Sequence, residues 1–278
     1  VLTGGVCLNC SMNGKIESEG IFDEIYVQPA AGDAGSVVGA CFLSHKKLTG
    51  SLEIQQSHSS YLGSRFNDEE IESSLKQSGV TYEKSDDIYA LTAQCLKEGK
   101  IVGWFQGAAE FGPRALGNRS ILVKPYPHQM KDYLNEKVKF REAFRPFAPA
   151  VLSEHAQEFF QIKQKSPYML MACKVQPDKK ESISAVVHVD DSCRVQTVTE
   201  DNNPNFFKLL EAFYQQTGCP VLLNTSFNVK GQPIVNTPQQ AIECFSGTNI
   251  DFLVIGDYYT EKPVQVTSEK NDFAVKSN

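Results

Sequence analysis

From residue 87 onward the apolar positions of this chain recur with two alternating periods, one helical and one extended. In DIYALTAQCLKEG (87–99), Ile88, Leu91, Cys95 and Leu96 share one helical face and Gly99 closes the segment. The same period predicts a helix over HQMKDYLNEKVK (128–139), with Met130, Tyr133, Leu134 and Val138 inward and Lys131, Asn135 and Lys139 along another face. Two more follow at NFFKLLEAFYQQTG (205–218), stopped by Gly218, and TPQQAIECF (237–245), where Thr237 is the N-cap and Pro238 the first helical residue. Between them, short apolar runs read as strands: KIVGWF (100–105), SILV (120–123), SPYMLMACKV (166–175), SAVVHV (184–189), RVQTVT (194–199), PVLL (220–223) and DFLVIG (251–256). Strands alternating with helices predict an α/β domain.

Upstream the pattern changes. Residues 1–45 (GGVCLN, YVQP, AAGDAGSVVGACF) are rich in glycine and alanine, which allow tight turns and close backbone approach to a ligand. Residues 61–87 are acidic, with seven Asp/Glu against three Lys/Arg. Within them NDEEIESSLKQSG (67–79) predicts a short helix, since Asp68, Glu69 and Glu70 suit its positive end and Gly79 its close. This stretch is the expected connection between two domains, 1–75 and 76–278.

Composition adds bounds. A chain of 278 residues, 41% apolar and 22% charged, is ordinary for a globular protein of more than one domain. No apolar run reaches the roughly 20 residues that span a bilayer. No basic leader precedes an apolar core, so a cytoplasmic protein without a membrane partner is expected. Eight scattered cysteines fit reduced thiols. Cys7 and Cys10 have zinc-ligand spacing but no second pair or nearby histidine, and read as packing. Val1 rather than Met opens the chain, as expected of a piece of a longer protein.

Charge changes the picture most. Between Glu110 and Arg145 stand eight Lys/Arg against four Asp/Glu, in a chain whose net charge is −6. A basic island in an acidic protein points to a focused anion pocket and argues against a nucleic-acid partner, because backbone binding needs a broad positive face. EFGPRALGNRS (110–120) sets Arg114 and Arg119 on a Gly/Pro loop after an apolar strand, where guanidinium forks suit phosphate or carboxylate oxygens. Arg145, in AFRPFAPAV, is expected to need an anionic partner among its apolar neighbours. Arg141, beside Glu142, reads equally as surface charge or as part of the set, and Arg194 lies further on. LLNTSFN (222–228) leaves a strand end with Asn224, Thr225, Ser226 and Asn228, which fit either a self-satisfied turn or a polar cradle. Asp33 in GDAG reads as turn chemistry. His188, ahead of Asp190 and Asp191, reads as a structural histidine.

Taken together these strings resemble the carbamoyltransferase family that includes the nodulation O-carbamoyltransferases and enzymes acting on aminoglycosides and cephems. The likeness is carried in order by GGVCLN, PAAGDAGSVVGA, GWFQGAAEFGPRALGNRSI, FREAFRPFAPAVL, HVDDSCRVQTV, LNTSFNVKGQPIV and DFLVIGDY. It implies a YrdC-like C-terminal α/β domain preceded by the tail of a Kae1/ASKHA-like domain. It implies that carbamoyl phosphate and ATP give carbamoyl-adenylate in the first, and that the carbamoyl group passes to a small hydroxyl-bearing acceptor in the second, helped by a divalent metal, iron or magnesium. By resemblance Arg114, Lys139, Arg145 and Arg194 are catalytic, and Asn224 and Ser226 match the same pocket. Arg119 and Asn228, from the local reading, join them as substrate-binding residues. Gly4, Gly5 and Asn9 match a nucleotide-touching segment, and Asp33 a metal ligand. The family's KGEPIV is KGQPIV here, so Gln232 stands in place of a carboxylate. The resemblance also implies that a front half with a metal-binding histidine pair lies outside these residues, so activation without transfer is expected. Rival readings are a YrdC-type threonylcarbamoyl-adenylate synthase, a non-catalytic nucleotide- or RNA-binding module and a degenerate scaffold. A homodimer is left open.

Overall fold

The computed structural model describes residues 1–52, 59–142 and 144–263. Two helices, α1 (Cys10–Glu19) and α2 (Ser36–Thr49), form in the Gly/Ala-rich segment, where no regular element was expected. Their apolar and polar residues follow no strong helical stripe, so periodicity did not mark them. Then come α3 (Asp68–Ser78), β1 (Glu83–Lys84), α4 (Ile88–Lys97), β2 (Val102–Phe105), β3 (Arg119–Val123), α5 (Gln129–Lys137), β4 (Ala148–Leu152) and α6 (Ala156–Phe159). The chain continues through β5 (Ala172–Lys174), β6 (Ser192–Arg194), β7 (Gln196–Val198), α7 (Pro204–Thr217), β8 (Val221–Ser226), α8 (Pro238–Ser246), β9 (Phe252–Ile255) and β10 (Tyr258–Glu261).

The helix ends obey local chemistry. In α3 the Asn67 side chain accepts from the Glu70 N–H at 2.9 Å, and the Glu70 carboxylate accepts from the Asn67 N–H at 2.8 Å. Thr237 and Gln240 make the same reciprocal cap on α8. Each such cap contributes about 1 kcal/mol.

Eight strands form one sheet in the order β1-β10-β9-β2-β3-β8-β4-β7, and β5 and β6 form a separate ribbon. Only β2–β9 and β4–β7 run parallel. The expected α/β class is what the structure shows, with a mostly antiparallel sheet. Helices α4 and α7 pack on each other, and α7 buries Phe206, Leu209, Leu210 and Phe213 at helical spacing. They enclose a core with Trp104, Phe105, Phe160, Phe227 and Phe252. Ile71 and Leu75 of α3 join this core. A smaller core of Cys7, Ile25, Val27, Ala31, Leu170 and Met171 fastens the N-terminal segment to the strand ribbon.

Two strand expectations need correction. SAVVHV lies in a 3-10 turn, Glu181–Val186, followed by loop, with Val189 almost fully exposed. A short apolar run cannot separate a strand from a buried turn. In SPYMLMACKV only β5 is strand, because Ser166, Met169, Leu170 and Met171 bury their side chains without ladder partners in either sheet. Conversely, β4 was not foreseen, since Pro149 argues against a central strand. Its neighbour β7 pairs only from Ala150 onward, so Pro149 needs no ladder bond on that side. Among the described residues no helix is long and apolar enough to cross a membrane.

Candidate functional site

The loop after β2 is built around one carboxylate. Glu110 Oε1 accepts from the backbone N–H groups of Leu116, Asn118 and Arg119 at 2.7, 2.8 and 3.2 Å. The Leu116 carbonyl accepts in turn from Tyr61 Oη, Gln196 Nε2 and Asn203 Nδ2. Gly117, at φ 104°, lies where a Cβ would fall 2.2 Å from the Phe206 ring. Gly112, at φ 136°, backs onto the Pro29 carbonyl, 2.8 Å from where its Cβ would sit. That contact brings PAAGDAG against the arginine loop. The glycines thus serve close packing, with Arg114 held between them.

Arg114 lies close enough to Arg194, 80 positions away in number, to repel its charge. Arg194 is opposite Ala172 in the β5–β6 ribbon, and α1 crosses that ribbon, Asn13 Nδ2 donating to the Leu170 carbonyl at 2.8 Å. This puts Cys10, the first residue of α1, beside both guanidinium groups. The Nε atoms of Arg114 and Arg194 are buried without a hydrogen-bond partner. Neither arginine is ion-paired among the described residues. Burial, then Arg114, hold Arg194 down to about 10, and burial lowers Arg114 as well.

Arg141 links this pair to the next. It is lowered by burial and then by Arg145, donates from Nε to Asn135 Oδ1 at 2.7 Å, and stacks 4.7 Å from the Phe147 ring centre. Lys139 is 3% exposed, and burial, then Arg141, pull its ammonium down to about 7. Its Nζ donates to the Ser226 carbonyl at 2.8 Å and to the carbonyl and Oδ1 of Asn228 at 2.8 and 2.7 Å. Positive groups are gathered here with too little countercharge for their burial. A cavity of about 370 Å³ adjoins Lys139, walled by Phe140, Val229, Gln232, Pro233, Ile234 and Cys244 among others.

Other expected residues lie elsewhere or act differently. Arg119 is fully buried, stacks 3.5 Å over Phe105, and donates to the carbonyls of Gln106, Asn118, Ser64 and Gly107. It holds the loop and has no fork free for a ligand. Arg145 is not lodged among apolar groups; it is about half exposed and pairs with Glu142 at 3.1 Å. Arg145 and Pro146 are exposed, while Phe147 turns in. Asn224 is buried in β8, and Ser226 Oγ donates to Asn228 Oδ1. Gly4 donates to the Ala31 carbonyl, Gly5 lies near Gly32, and Asn9 caps α1 by accepting from the Met12 N–H. These three therefore share a corner with Asp33. Asp33 is exposed, and among the described residues no three His, Cys, Asp or Glu could hold a metal together. The residues present do not fit the divalent metal the resemblance implies, and no step is routed through one. His188 and Asp190 form a turn-end contact at 3.7 Å. Arg141, left open between surface charge and the cation set, lies beside Asn135 and Phe147 within it, whereas Glu110, Gln196 and Cys10 were missed as site residues. Glu110 and Gln196 stood within strings already singled out, and Cys10 had been read as packing.

The chain is a mixed α/β protein whose sheet lies beside a group of partly buried cations, Arg114, Arg141 and Arg194, and the buried Lys139. The carbamoyltransferase C-terminus family model matches residues 93–262 and the N-terminus model residues 1–42. The chain belongs to the carbamoyltransferase family. Nodulation protein NolNO of Sinorhizobium fredii (strain NBRC 101917 / NGR234) is 42% identical over 267 residues, covering 94% of this chain and 39% of its own length. The 3'-hydroxymethylcephem-O-carbamoyltransferase of Streptomyces clavuligerus is 34% identical over 256 residues, covering 92% and 47%. The chain spans about half the length of the curated relatives it matches. Among solved structures, T. kodakarensis HypF overlaps 66% of this chain and 23% of its own at 15% identity, with a TM-score of 0.45.

Proposed function

We propose that this chain activates a carbamoyl group by adenylation. Carbamoyl phosphate, ATP and water give carbamoyl-adenylate, phosphate and pyrophosphate. Water takes the phosphoryl group of carbamoyl phosphate and leaves carbamate. A carbamate oxygen then bonds to the α-phosphorus of ATP, and the bond from that phosphorus to the bridging oxygen breaks as pyrophosphate leaves. No covalent enzyme intermediate is required.

The observation that carries the reading is the set of partly buried Arg114, Arg194 and Arg141 with the buried Lys139, in which the Nε atoms of Arg114 and Arg194 are buried and unpartnered. Two polyanions repel one another, and fixed cations in a partly desolvated site offset that repulsion and stabilise charge on the transferring centre. The cavity beside Lys139 has room for the nucleoside. Gln232 on its wall keeps hydrogen-bonding capacity without adding a negative charge near the phosphates. Arg145 is half exposed and paired with Glu142, from which a phosphate would draw it. The corner of Gly4, Gly5, Asn9 and Asp33 is this chain's share of the transfer site, and activation without passage to a small hydroxyl-bearing acceptor is the expected outcome for this chain. Membership of the carbamoyltransferase family supports the chemical class.

The test is exchange of labelled pyrophosphate into ATP by the 278-residue chain. Exchange is expected only with carbamoyl phosphate present. A folded sample that shows none, or that exchanges with threonine and bicarbonate instead, refutes the proposal.

A further inference from the structure

Across the β5–β6 ribbon two cysteines stand directly opposite one another. Cys173 is the register partner of Cys193, and their Sγ atoms lie 3.9 Å apart as free thiols. Facing residues of an antiparallel pair have Cα atoms about 4.5–5.5 Å apart, inside the range that a disulfide spans. The two thiols differ in access. Cys173 is half-buried, whereas Cys193 is 5% exposed and belongs to the main core. Burial, then the hydrogen bond with Cys173, holds the Cys193 thiol well above its ordinary value, so it is a poor target for reagents in solution. Once Cys173 carries a leaving group, however, Cys193 is held against it at short range.

The same ribbon carries part of the cation cluster. Successive residues of a strand turn to opposite faces, so Cys193 enters the core while Arg194, next in β6, turns away from it. Arg194 is paired with Ala172, and the Ala172 carbonyl lies under Gly14 of α1, where an added Cβ would fall 1.8 Å from the oxygen. Helix, ribbon and arginine are therefore packed without slack. A disulfide prefers Cβ atoms about 3.5–4.5 Å apart, against about 4.5–5.5 Å for ordinary facing pairs. Closure would draw the ribbon in by roughly 1 Å next to Arg194.

We infer that Cys173 and Cys193 are a reversible thiol–disulfide couple, closed by a small-molecule disulfide, and that closure loosens the hold of Arg194 on an anion. Cys173, as thiolate, attacks one sulfur of the small disulfide, whose S–S bond breaks and releases one thiolate. Cys193 then gives its proton to solvent and attacks the Cys173 sulfur, forming the cross-strand bond and releasing the second thiolate. Two protein thiols are oxidised to one disulfide, and one small disulfide is reduced to two thiols. The bond itself stands apart from the adenylation reading; its effect on an anion rests on the cation cluster of that reading.

The experiment equilibrates the full chain with oxidised glutathione, digests it with trypsin without reduction and reads the peptides by mass spectrometry. Residues 166–174 and 181–194, SPYMLMACK and ESISAVVHVDDSCR, are expected as one linked species that dithiothreitol separates. Pyrophosphate affinity, read by calorimetry, is expected to fall about tenfold in the oxidised chain and to return on reduction. Cys173→Ser keeps the reduced affinity and loses this response; it retains Cys10 and the exposed Cys41, so adducts at those thiols are subtracted. Cys193→Ser stops at a glutathione adduct on Cys173. A wild-type chain that carries only such an adduct, or in which neither cysteine reacts, overturns the couple. Linked peptides with unchanged pyrophosphate affinity, or an equal fall in Cys173→Ser, overturn its effect on Arg194. Failure of the reduced chain to bind pyrophosphate overturns the anion reading, and the linked peptides would still establish the couple.

Discussion

Removing a cation from the cluster should make the empty protein more stable and its anion site weaker. Arg194→Met is the cleanest case. Burial and the neighbouring Arg114 lower the Arg194 guanidinium to about 10 from an ordinary 12.5. At about 1.4 kcal/mol for each tenfold in proton affinity, the charged form carries roughly 3 kcal/mol in the empty site. Its folded value lies below the unfolded one, so this burden is present in full at pH 7 and is relieved only as pH climbs past about 10. Methionine keeps the apolar stem and removes the charge, and some packing of the guanidinium plane is lost. A net gain of about 1–3 kcal/mol is expected. With a urea slope of about 3 kcal/mol per molar, the midpoint rises by roughly 0.3–1 M. The chain has one tryptophan, and Trp104 is fully buried, so its fluorescence follows the main core.

The same variant should lose a charge-assisted fork to phosphate, about 1.5–3 kcal/mol or 10- to 150-fold in affinity. Ligand then reverses the order of stability. At a hundred times its dissociation constant, an anion stabilises wild type by about 2.7 kcal/mol, and the variant far less. Urea titrations with and without ATP plus carbamoyl phosphate read both effects. A variant less stable than wild type without ligand, and equally stabilised by it, would refute the view that these charges are held in wait for an anion.

Lys139 should make binding depend on pH. Burial and Arg141 hold its ammonium near 7, whereas a bound polyanion restores the charge. Binding therefore takes up a proton above about pH 7, and the dissociation constant for pyrophosphate rises with pH by up to tenfold per unit; Lys139→Met flattens the profile. Calorimetry in buffers of different ionisation enthalpy that detects no proton uptake at pH 8 would count against it. Because the folded value is the lowered one, Lys139 also makes the empty fold gain stability as pH rises from about 7, and the variant loses that slope. Glu110→Ala leaves three backbone N–H groups without their acceptor and is expected to cost about 2–3 kcal/mol in urea unfolding. It should also weaken anion binding by displacing Arg114, and unchanged affinity would show that the loop does not position that residue.

Much of the fold was legible because the signals that set it are local. The spacing of Phe206, Leu209, Leu210 and Phe213 and the caps at Asn67 and Thr237 act within a few residues, and each element formed close to where its pattern put it. The cation-rich strings were visible for the same reason. Which cations meet was decided by strand pairing and helix docking. Arg119, one of two arginines on the same loop, turned into the core because β3 begins at it, while Arg114 was left at the face. Arg145 turned out to solvent, and Arg141, its near neighbour, turned in over Phe147. Gln196 lay inside the string HVDDSCRVQTV, but its bond to the Leu116 carbonyl, 80 residues away in number, was not legible there. Sequence records which groups are present and how they repeat. Burial and hydrogen-bond satisfaction depend on what the folded chain brings alongside, and those decide which charge stays unpaired.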